Sequence, residues 1–407
     1  MSKKPPSRYR IPDDKLRAWM ERLADELCLT VNGKFDHLVR MDVTDDTLEK
    51  LQMLVNFALD HARRAQQAQE EASRLASENV TLAKEVDRYR EMGNYQLLEM
   101  LGKGGMGEVW HARHRMLARP VAIKVIRQES LGFPGSDADR SLARFQREAR
   151  QTALLKSPHT IGVFDFGVHD GNFYYVMELL DGLDVELLVS EYGPQPPERV
   201  AYLLKQVCHS LEEAHQAGLI HRDIKPGNLF VCRHGIDLDF VKVLDFGLVK
   251  NYRDRTEPAL TEDGYITGTP SCLAPEQIQG EDDVDGRADL YALGHAAYLM
   301  LTGRECFTGD SPLAVLMQQL QKPPKPVSSF VKIPTALEEI VMDCLSKERG
   351  DRPSSAAALR YRIDATGLAD KWTADLRQKW WKAHRPKPPF DPDVSLGTAP
   401  TQPRVKT

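Results

Sequence analysis

The sequence predicts an α+β protein with two lobes, one rich in strands and one helical, preceded by an all-α extension. Short β-type runs with glycine turns begin at Asn94, and a mainly helical pattern broken by proline and glycine takes over at about residue 181. Residues 13–92 contain no proline and a single glycine, Gly33, which favours helices before the first strand. Strands followed by helices within one region indicate the two-lobed arrangement.

The composition is that of an ordinary globular protein, and it excludes several classes. The 407 residues allow about two or three domains, and 42% of them are hydrophobic. That fraction excludes disorder across the whole chain, and neither collagen-like repeats nor a disulfide-stapled scaffold fits. With 54 basic and 59 acidic residues, the net charge of −5 gives no support to a surface for nucleic acid. We therefore expect a folded protein without a nucleic-acid partner.

The cysteine spacing and the apolar runs bear on the compartment. The six cysteines form no C-x-x-C pair, which is typical of free thiols in a reducing compartment. The longest apolar stretch, Leu290–Leu301, is too short to cross a bilayer and is expected to form a buried core helix. No apolar run follows the first residues, so a secretory signal is not expected. The expected location is the cytoplasm, without membrane contact.

The two-lobed region is flanked by segments of different character. It spans about residues 94–366, with the boundary between its lobes near residue 180. Residues 1–12 are basic and contain proline, which predicts a disordered arm, and residues 13–92 are expected to form a helical regulatory segment. After the region comes a predicted C-terminal helix at residues 367–384, whose tryptophans are expected to pack on the larger lobe. A disordered proline-rich tail is predicted at residues 385–407.

The later half of the helical segment has a heptad pattern. Its a positions are Ala65, Ala72, Asn79 and Val86, and its d positions are Ala68, Leu75, Leu82 and Tyr89. Leucine at d with a single asparagine at a favours a parallel two-stranded coiled coil, which would make the protein a homodimer. The alternative is a single amphipathic helix that packs on the two-lobed region.

The first segment that could bind a ligand is rich in glycine. Residues 102–109 read GKGGMGEV and lie between two β-type runs, Tyr95–Leu101 and Val109–Ala112. Glycines let a backbone bend sharply and approach phosphates, although plain hairpin turns use them as well. A strand follows these glycines where a Rossmann site would have a helix, so a dinucleotide site of that type is excluded.

A lysine ends the next apolar strand. Lys124 closes the run Val121–Lys124, where burial of a cation is costly unless it has a partner. Glu148, in the helical stretch Ser141–Leu155, can supply the carboxylate, and such a pair would hold the ammonium ready for the phosphates of a nucleotide. The alternative is a lysine on an edge strand whose ammonium reaches solvent.

Two further segments contain side chains suited to proton transfer and metal binding. Residues 221–229 read HRDIKPGNL and place Asp223 and Asn228 on one loop that contains proline and glycine. The carboxylate could accept a proton from a hydroxyl, and the amide oxygen could bind Mg²⁺. Asp245, in the DFG of residues 245–247, follows an apolar run, and Mg²⁺ prefers one or two carboxylates plus phosphate oxygens.

Taken in order, these segments resemble the protein-kinase signature set. The resemblance continues with the Ala-Pro-Glu of residues 274–276, with Asp289 and with the late Arg352, which in the family pairs with the Ala-Pro-Glu glutamate, here Glu276. It covers about residues 94–366 and implies the two-lobed protein-kinase fold. It also implies ATP and Mg²⁺ as cofactors, with Mn²⁺ as a substitute, and protein substrates of unknown identity.

Finer matches indicate the branch of the family. Lys225, two residues after Asp223, is similar to serine/threonine kinases and differs from tyrosine kinases. The glycine-rich segment, the Tyr-Val-Met-Glu that ends at Glu178, and the FTGDSP of residues 307–312 resemble the bacterial branch of eukaryotic-type (Hanks-type) kinases. The aromatic residue that usually precedes Ala-Pro-Glu is replaced in this chain by Ser271-Cys272-Leu273, which leaves the peptide preference open.

The resemblance implies a role for each matching polar residue of the loop and the DFG. Asp223 would orient the substrate hydroxyl and accept its proton, while Lys225 would neutralise charge on the γ-phosphate. Asn228 and Asp245 would bind the metal ion. These side chains would act by positioning and by stabilising charge.

The resemblance also implies how the nucleotide is held. Lys124 would contact the α and β phosphates and would itself be held by Glu148. Other positions would cover the phosphates, line the adenine slot or offer hinge backbone groups: Leu101, Gly102, Lys103, Gly104, Gly105, Met106, Gly107, Val109, Ala122, Met177, Glu178, Leu180 and Leu229.

Residues 245–276 would form the activation segment. In the family, the arginine before the catalytic aspartate, here Arg222, often pairs with a phosphate on this segment and orders it. The segment would be autophosphorylated, and its candidate phosphorylation sites are Thr256, Thr261 and Thr267.

The main interpretation is an active bacterial serine/threonine protein kinase, and the sequence disfavours two alternatives. A catalytically weak kinase-fold scaffold would act through nucleotide and partner binding, but all the polar residues needed for transfer are present. A kinase for small molecules is disfavoured by Lys225 and by the Ala-Pro-Glu segment, which match the branch that acts on proteins.

Overall fold

The computed structural model divides the chain into two units, Met1–Tyr89 and Arg90–Thr407. Apart from single helical positions between residues 14 and 25, it describes residues 53–58, 60–74, 91–104, 107–126, 150–246, 270–281, 283–384 and 386. In the first unit, residues 53–58 and 60–74 are helical, as predicted. Most of the heptad lies outside the described residues, so the coiled coil and the homodimer stay predictions.

An antiparallel sheet of six strands forms the first lobe. The strand order is β1-β2-β3-β4-β6-β5. The absence of proline predicts that residues 91–92 belong to the helical segment, but they pair with Tyr95 and Gln96 as a short strand. The bounds are β1 Glu91–Met92, β2 Tyr95–Gly104, β3 Gly107–His114, β4 Pro120–Ile126, β5 Val163–His169 and β6 Asn172–Met177.

The strand β6 contributes side chains to two separate apolar clusters. Tyr174 and Val176 lie in one cluster, whereas Phe173, Tyr175 and Met177 lie in the other. This division follows from the alternation of side chains between the two faces of a strand. The face with Phe173, Tyr175 and Met177 is the one on the side of the cleft described below.

The second lobe contains a small three-stranded sheet and the helices. The sheet has the order β7-β8-β9, and its strands are antiparallel. The strands are β7 Asp181–Asp184, β8 Leu229–His234 and β9 Asp237–Val243. The helices are α1 Val185–Tyr192, α2 Pro197–Gln216, α3 Pro275–Ile278, α4 Arg287–Thr302, α5 Pro312–Gln321, α6 Thr335–Cys344, α7 Ala356–Ala365, α8 Leu368–Lys371 and α9 Ala374–His384.

The helix α4 lies at the centre of the second lobe. All its residues from Ala288 to Thr302 are buried, which confirms the core helix predicted from the apolar stretch. Burial of each large apolar side chain stabilises the fold by about 1.5–3 kcal/mol, so this helix is a main contributor to the core. It ends at Gly303, whose φ of 68° is the left-handed conformation that glycine adopts without strain. No helix in the described part of the chain has the length and apolar character needed to cross a bilayer.

The two C-terminal helices are fixed to the second lobe through one aspartate. The indole N–H groups of Trp372 and Trp381 each donate to the carboxylate of Asp239 at 2.7 Å. Asp239 also accepts from the guanidinium of Arg199 at 2.7 Å, and both side chains of this ion pair are fully buried. These contacts confirm that tryptophans pack the terminal helix on the larger lobe.

Candidate active site

A cleft of about 460 Å³ is lined by residues of both lobes. The first lobe contributes residues of β2, β3, β4 and β6. The second lobe contributes the loop before β8, the start of β8 and the residues that follow β9. Most residues that the sequence singled out line this one cavity. They are Leu101, Gly102, Lys103, Gly104, Gly107, Val109, Ala122, Lys124, Met177, Glu178, Leu180, Asp223, Lys225, Asn228 and Asp245.

One residue that was predicted to line the adenine slot, Leu229, does not line the cavity. Leu229 is buried in the main core of the second lobe. Its neighbour Phe230 lines the cavity instead. The two residues begin β8, where successive side chains point to opposite faces, so a shift of one residue exchanges the core for the cleft.

The glycines of β2 and β3 meet different requirements. A Cβ at Gly107 would lie 1.9 Å from the carbonyl oxygen of Val125, so no larger residue fits between these strands. A Cβ at Gly102 or Gly104 would meet no atom of the described chain within 4 Å. Packing therefore does not require glycine at these two positions, and the open space above the cavity is available to a ligand that comes close to the backbone.

The loop that precedes β8 is anchored to α4. The backbone N–H groups of His221 and Arg222 donate to the two carboxylate oxygens of Asp289, each at 2.8 Å. Burial raises the pKa of Asp289, but hydrogen bonds from His215 and from the backbone of His221 outweigh this effect, and the pKa is lowered overall. A buried carboxylate thus stays ionised and holds the start of the loop.

The histidine of this loop is structural. The His221 side chain is fully buried, donates from Nε2 to the carbonyl of Leu244 at 2.7 Å and accepts the N–H of Asp223 on Nδ1 at 3.2 Å. Burial lowers the pKa of His221 despite the nearby carboxylates, which agrees with a neutral ring that donates on one side and accepts on the other. The ring also packs on Phe246 with centroids 4.5 Å apart.

Three polar side chains of the loop converge in the cavity. The Lys225 ammonium lies 3.3 Å from Oδ2 of Asp223. The Asn228 amide nitrogen donates to the Asp223 carbonyl at 2.8 Å and to Asp223 Oδ2 at 3.1 Å. These bonds orient the amide, because its nitrogen is used on the Asp223 side and its oxygen is left for another partner.

Asp245, which follows β9 in the second lobe, contacts two side chains of the first lobe. Its carboxylate contacts the Lys124 ammonium through Oδ2 and accepts the Tyr175 hydroxyl through Oδ1. Burial alone raises the pKa of Asp245, but the charge and hydrogen bond of Lys124 and the hydrogen bond of Tyr175 outweigh burial and lower it. Burial and the adjacent carboxylate raise the pKa of Tyr175 well above its ordinary value, so the hydroxyl keeps its proton.

The segment that joins the lobes is fixed by Glu178. Its backbone N–H donates to the carbonyl of Gly162 at 3.0 Å, and its carboxylate accepts from the Gly162 N–H at 2.7 Å. The same carboxylate pairs with Lys242 at 2.6 Å. The side chain of Glu178 therefore fixes this segment through Gly162 and Lys242.

The donor set fits a divalent cation bound together with phosphates. Asn228 and Asp245 line the same cavity, and the backbone N–H of Leu244 donates to the Asn228 carbonyl at 2.9 Å, which ties the two residues together. One amide oxygen and one carboxylate, completed by phosphate oxygens, are the hard oxygen ligands that Mg²⁺ prefers. Asn228 and Asp245 would hold such an ion, whose charge would neutralise that of the phosphates.

A buried ion pair joins two predicted partners on the far side of the loop. Arg352 donates to both oxygens of Glu276, at 2.7 and 2.8 Å, and both side chains are almost fully buried. This bidentate contact confirms the pairing that the resemblance implied. It fixes Glu276, the last residue of the predicted activation segment, to the helical lobe.

Several predicted residues lie outside the described part of the chain. They are Gly105, Met106, Glu148, Thr256, Thr261 and Thr267. The expected Lys124–Glu148 pair therefore stays a prediction, and the contact that the structure gives Lys124 is with Asp245.

Sequence reasoning missed Tyr175, whose hydroxyl donates to Asp245 although it is not among the residues that line the cavity. A signal was available, since Tyr175 lies two residues before Met177, and alternate residues of a strand share a face. The cavity is also lined by apolar residues that were not named, among them Ile161, Leu183 and Leu244.

Comparison with known proteins agrees with this fold and site. The family described as protein kinase domain matches residues 95–362. The chain therefore belongs to the protein kinase family, whose members use ATP and a divalent metal ion, and the predicted two-lobed kinase fold is confirmed. The solved structure titled "Crystal structure of Rad53 1-466 in complex with AMP-PNP" is similar in fold, with a TM-score of 0.54 and 24% identity over 66% of this chain and 65% of that one.

The curated relatives include bacterial serine/threonine-protein kinases. The chain is 40% identical to serine/threonine-protein kinase pkn3 of Myxococcus xanthus over 277 residues, 67% of this chain and 49% of that protein. It is 38% identical to PknB of Mycolicibacterium smegmatis over 271 residues, 65% of this chain and 42% of that protein. The chain thus spans about half the length, or less, of these relatives.

Proposed function

We propose that the chain is a serine/threonine protein kinase that transfers the γ-phosphate of ATP to serine and threonine hydroxyls of proteins. One observation carries the proposal: a single cavity, also lined by the glycines of β2 and β3, is lined by Asp223, Lys225, Asn228, Asp245 and Lys124. The names of the bacterial relatives support the same activity and the serine/threonine class.

In this proposal the chain's own groups position the substrate and stabilise charge. The Asp223 carboxylate accepts the proton of the substrate hydroxyl, and the Lys225 ammonium, 3.3 Å from it, neutralises charge on the transferred phosphoryl group. Lys124 leaves Asp245 to contact the α and β phosphates, and Asn228 and Asp245 hold Mg²⁺, which Mn²⁺ can replace.

The nucleotide lies in the same cavity. The backbone of residues 102–107 covers its phosphates, and Leu101, Val109 and Ala122 cover the adenine. Met177 stands at the back of the slot, and Phe230 takes the place predicted for Leu229.

Phosphate transfer from radiolabelled ATP to generic protein substrates tests the activity. We expect the full chain to label serine and threonine, and Asp223→Asn to lower kcat by about 100-fold or more, since general-base catalysis contributes about that much. Asp245→Ala should abolish metal-dependent transfer, whereas Asp283→Asn, at a side chain that is 77% exposed, is the matched control and should behave as wild type. Binding of ATP without any transfer by the wild type would contradict the proposal and favour the scaffold alternative.

We propose further that the kinase autophosphorylates its activation segment at Thr256, Thr261 or Thr267. Arg222 supports this, because it precedes Asp223 on the anchored loop and a guanidinium pairs well with phosphate. Mass spectrometry after incubation with ATP and Mg²⁺ tests the proposal, and a segment that stays unmodified in an active enzyme would contradict it.

Residues 13–92 are proposed to act as a regulatory segment that dimerises the chain, so that one copy phosphorylates the other. Support comes from the helical residues 53–58 and 60–74, among which Met53, Leu54 and Phe57 are more than half exposed and form an apolar surface. Sedimentation of the chain with and without residues 1–92 tests dimerisation, and equal monomer masses would contradict it.

A cytoplasmic location is proposed from cysteine chemistry. The five cysteines in the described residues, Cys208, Cys232, Cys272, Cys306 and Cys344, are all free thiols. Persistent free thiols are typical of reducing compartments. Fractionation of the native host followed by detection of the chain would test this location.

A further inference from the structure

The two oxygens of the Asp245 carboxylate have partners of different kinds. Tyr175 donates its hydroxyl to Oδ1, and the Lys124 ammonium contacts Oδ2. Asp245 itself has a φ of 57°, a left-handed conformation that is strained for a residue with a side chain. Contacts of the side chain therefore help to hold Asp245 in the orientation that faces the cavity.

The two partners differ in their freedom to move. Lys124 lines the cavity, its side chain is 14% exposed, and its flexible stem lets the ammonium move to an anionic ligand. Tyr175 is 1% exposed, is not among the residues that line the cavity, and packs with Phe173 and Met177 in one apolar cluster. Lys124 can leave Asp245 when phosphates arrive, whereas Tyr175 cannot leave without disrupting that cluster.

We propose that Tyr175 is a positioning residue for the metal ion. It keeps its hydrogen bond to Oδ1 of Asp245 while Lys124 releases Oδ2, and so presents Oδ2 to the cation at a fixed orientation. Hydrogen bonds to metal-binding carboxylates orient them, and their loss typically lowers metal affinity by about 10- to 100-fold. The inference rests on the proposed kinase function, because it takes Asp245 to be a ligand of the divalent metal.

The test compares Tyr175→Phe with Tyr174→Phe. Both substitutions remove one hydroxyl from adjacent residues of β6, but Tyr174 lies in the cluster on the opposite face of the sheet, away from Asp245. Binding of a fluorescent, non-hydrolysable ATP analogue is measured while Mg²⁺ is titrated, and again in EDTA. The Mg²⁺ dependence of phosphate transfer is recorded as a second readout.

We expect Tyr175→Phe to raise the Mg²⁺ concentration for half-maximal nucleotide binding by roughly 10-fold or more. Binding in EDTA should match wild type, which shows that the cleft is folded, and Tyr174→Phe should match wild type in both titrations. At saturating Mg²⁺ the kcat of Tyr175→Phe should approach that of wild type, which separates a weakened metal site from general damage.

Other results would overturn the inference. An unchanged Mg²⁺ requirement in Tyr175→Phe would show that the hydroxyl does not position Asp245 for the metal, and a lower requirement would show that it competes with the metal. If the wild type itself shows neither Mg²⁺-dependent nucleotide binding nor transfer, the proposed function fails. That result differs from a Tyr175→Phe variant that equals an active wild type.

Discussion

Asp289 holds the backbone of Arg222, because its Oδ1 accepts the Arg222 N–H at 2.8 Å from within the buried helix α4. The other oxygen accepts the N–H of His221 at 2.8 Å. Arg222 has a φ of 60°, so the backbone at this point is in a strained conformation that needs support. A helix that is buried from Ala288 to Thr302 thus sets the geometry of the loop that carries Asp223.

Replacing Asp289 should damage both stability and activity. In Asp289→Asn, one oxygen becomes an NH₂ group that faces a backbone N–H, so a charge-assisted hydrogen bond is lost and two donors oppose each other. We expect the free energy of unfolding to fall by about 1.5–3 kcal/mol. Because the loop loses its anchor, kcat should fall while the KM for ATP changes less. Urea unfolding and steady-state kinetics measure the two effects.

The matched control for Asp289 is Asp285→Asn. Asp285 accepts the backbone N–H of Arg287 and pairs with its guanidinium, through side chains that are 42% and 32% exposed. The amide oxygen introduced by Asp285→Asn can still accept the backbone N–H, and solvent screens the ion pair, so this variant should lose less stability than Asp289→Asn. An Asp289→Asn variant with the stability and kcat of this control would show that the loop does not depend on the α4 carboxylate.

The Glu276–Arg352 pair should tolerate no change of its arginine. In Arg352→Lys the charge remains, but one ammonium cannot make the two parallel bonds of a guanidinium, and the buried Glu276 is left poorly paired. We expect the unfolding free energy to fall by about 3 kcal/mol, as for a buried pair that loses a partner. Thermal and urea unfolding measure this loss.

Arg349→Lys is the control for that prediction. Arg349 pairs with Glu281 and Asp283, whose side chains are 37% and 77% exposed, so its loss should cost about 1 kcal/mol or less. Equal losses in Arg352→Lys and Arg349→Lys would contradict the stabilising role of the buried pair.

Most of the candidate site could be predicted from the sequence because its residues lie in short motifs. The short spacing between Asp223 and Asn228 places both residues on one loop, and the apolar run before Asp245 places that residue at the end of a strand. Both placements follow from local sequence. The choice between Leu229 and Phe230 could not be made in this way. Two consecutive apolar residues at the start of a strand point to opposite faces of the sheet, but the sequence does not show which of the two points into the cleft.

Contacts between distant parts of the chain could not be predicted. The Tyr175 hydroxyl meets Asp245 across 70 residues of sequence, and the Trp381 indole meets Asp239 across 142. Asp239 lies between Leu238 and Phe240 in a short hairpin strand, where a carboxylate would ordinarily face solvent. Its burial depends on the Arg199 cation and the two indoles, which only the folded chain brings together.

The Asp239 cluster should fix the C-terminal helices. Asp239→Asn removes the charge that neutralises Arg199, which is fully buried, and leaves an amide that cannot accept three donors well. We expect a loss of about 3–5 kcal/mol in unfolding free energy, because an uncompensated charge remains in the core. Near-ultraviolet circular dichroism should change as well, since Trp372 and Trp381 lose their common acceptor.

Asp237→Asn provides the comparison for the Asp239 cluster, since Asp237 starts the same strand but is exposed. It should leave both the stability and the tryptophan spectrum as in wild type. An unchanged spectrum in Asp239→Asn would show that the terminal helices are held by apolar packing alone.

Stability should fall in mild acid because of His159. Its ring donates from Nδ1 to the carbonyl of Val241 at 3.0 Å, and burial lowers the pKa of His159 from 6.5 to about 4. The unfolded chain therefore binds a proton below pH 6.5 that the folded chain does not bind until about pH 4. The stabilisation from the neutral ring is fully present above pH 6.5 and is lost as the pH falls from 6.5 to about 4. We expect this loss to reach on the order of 2–3 kcal/mol.

His159→Asn keeps an amide donor near Nδ1 but cannot titrate, so its unfolding free energy should depend less steeply on pH in this window. Urea unfolding of both proteins between pH 7 and 4 measures the difference, and parallel curves would show that His159 is not the group responsible.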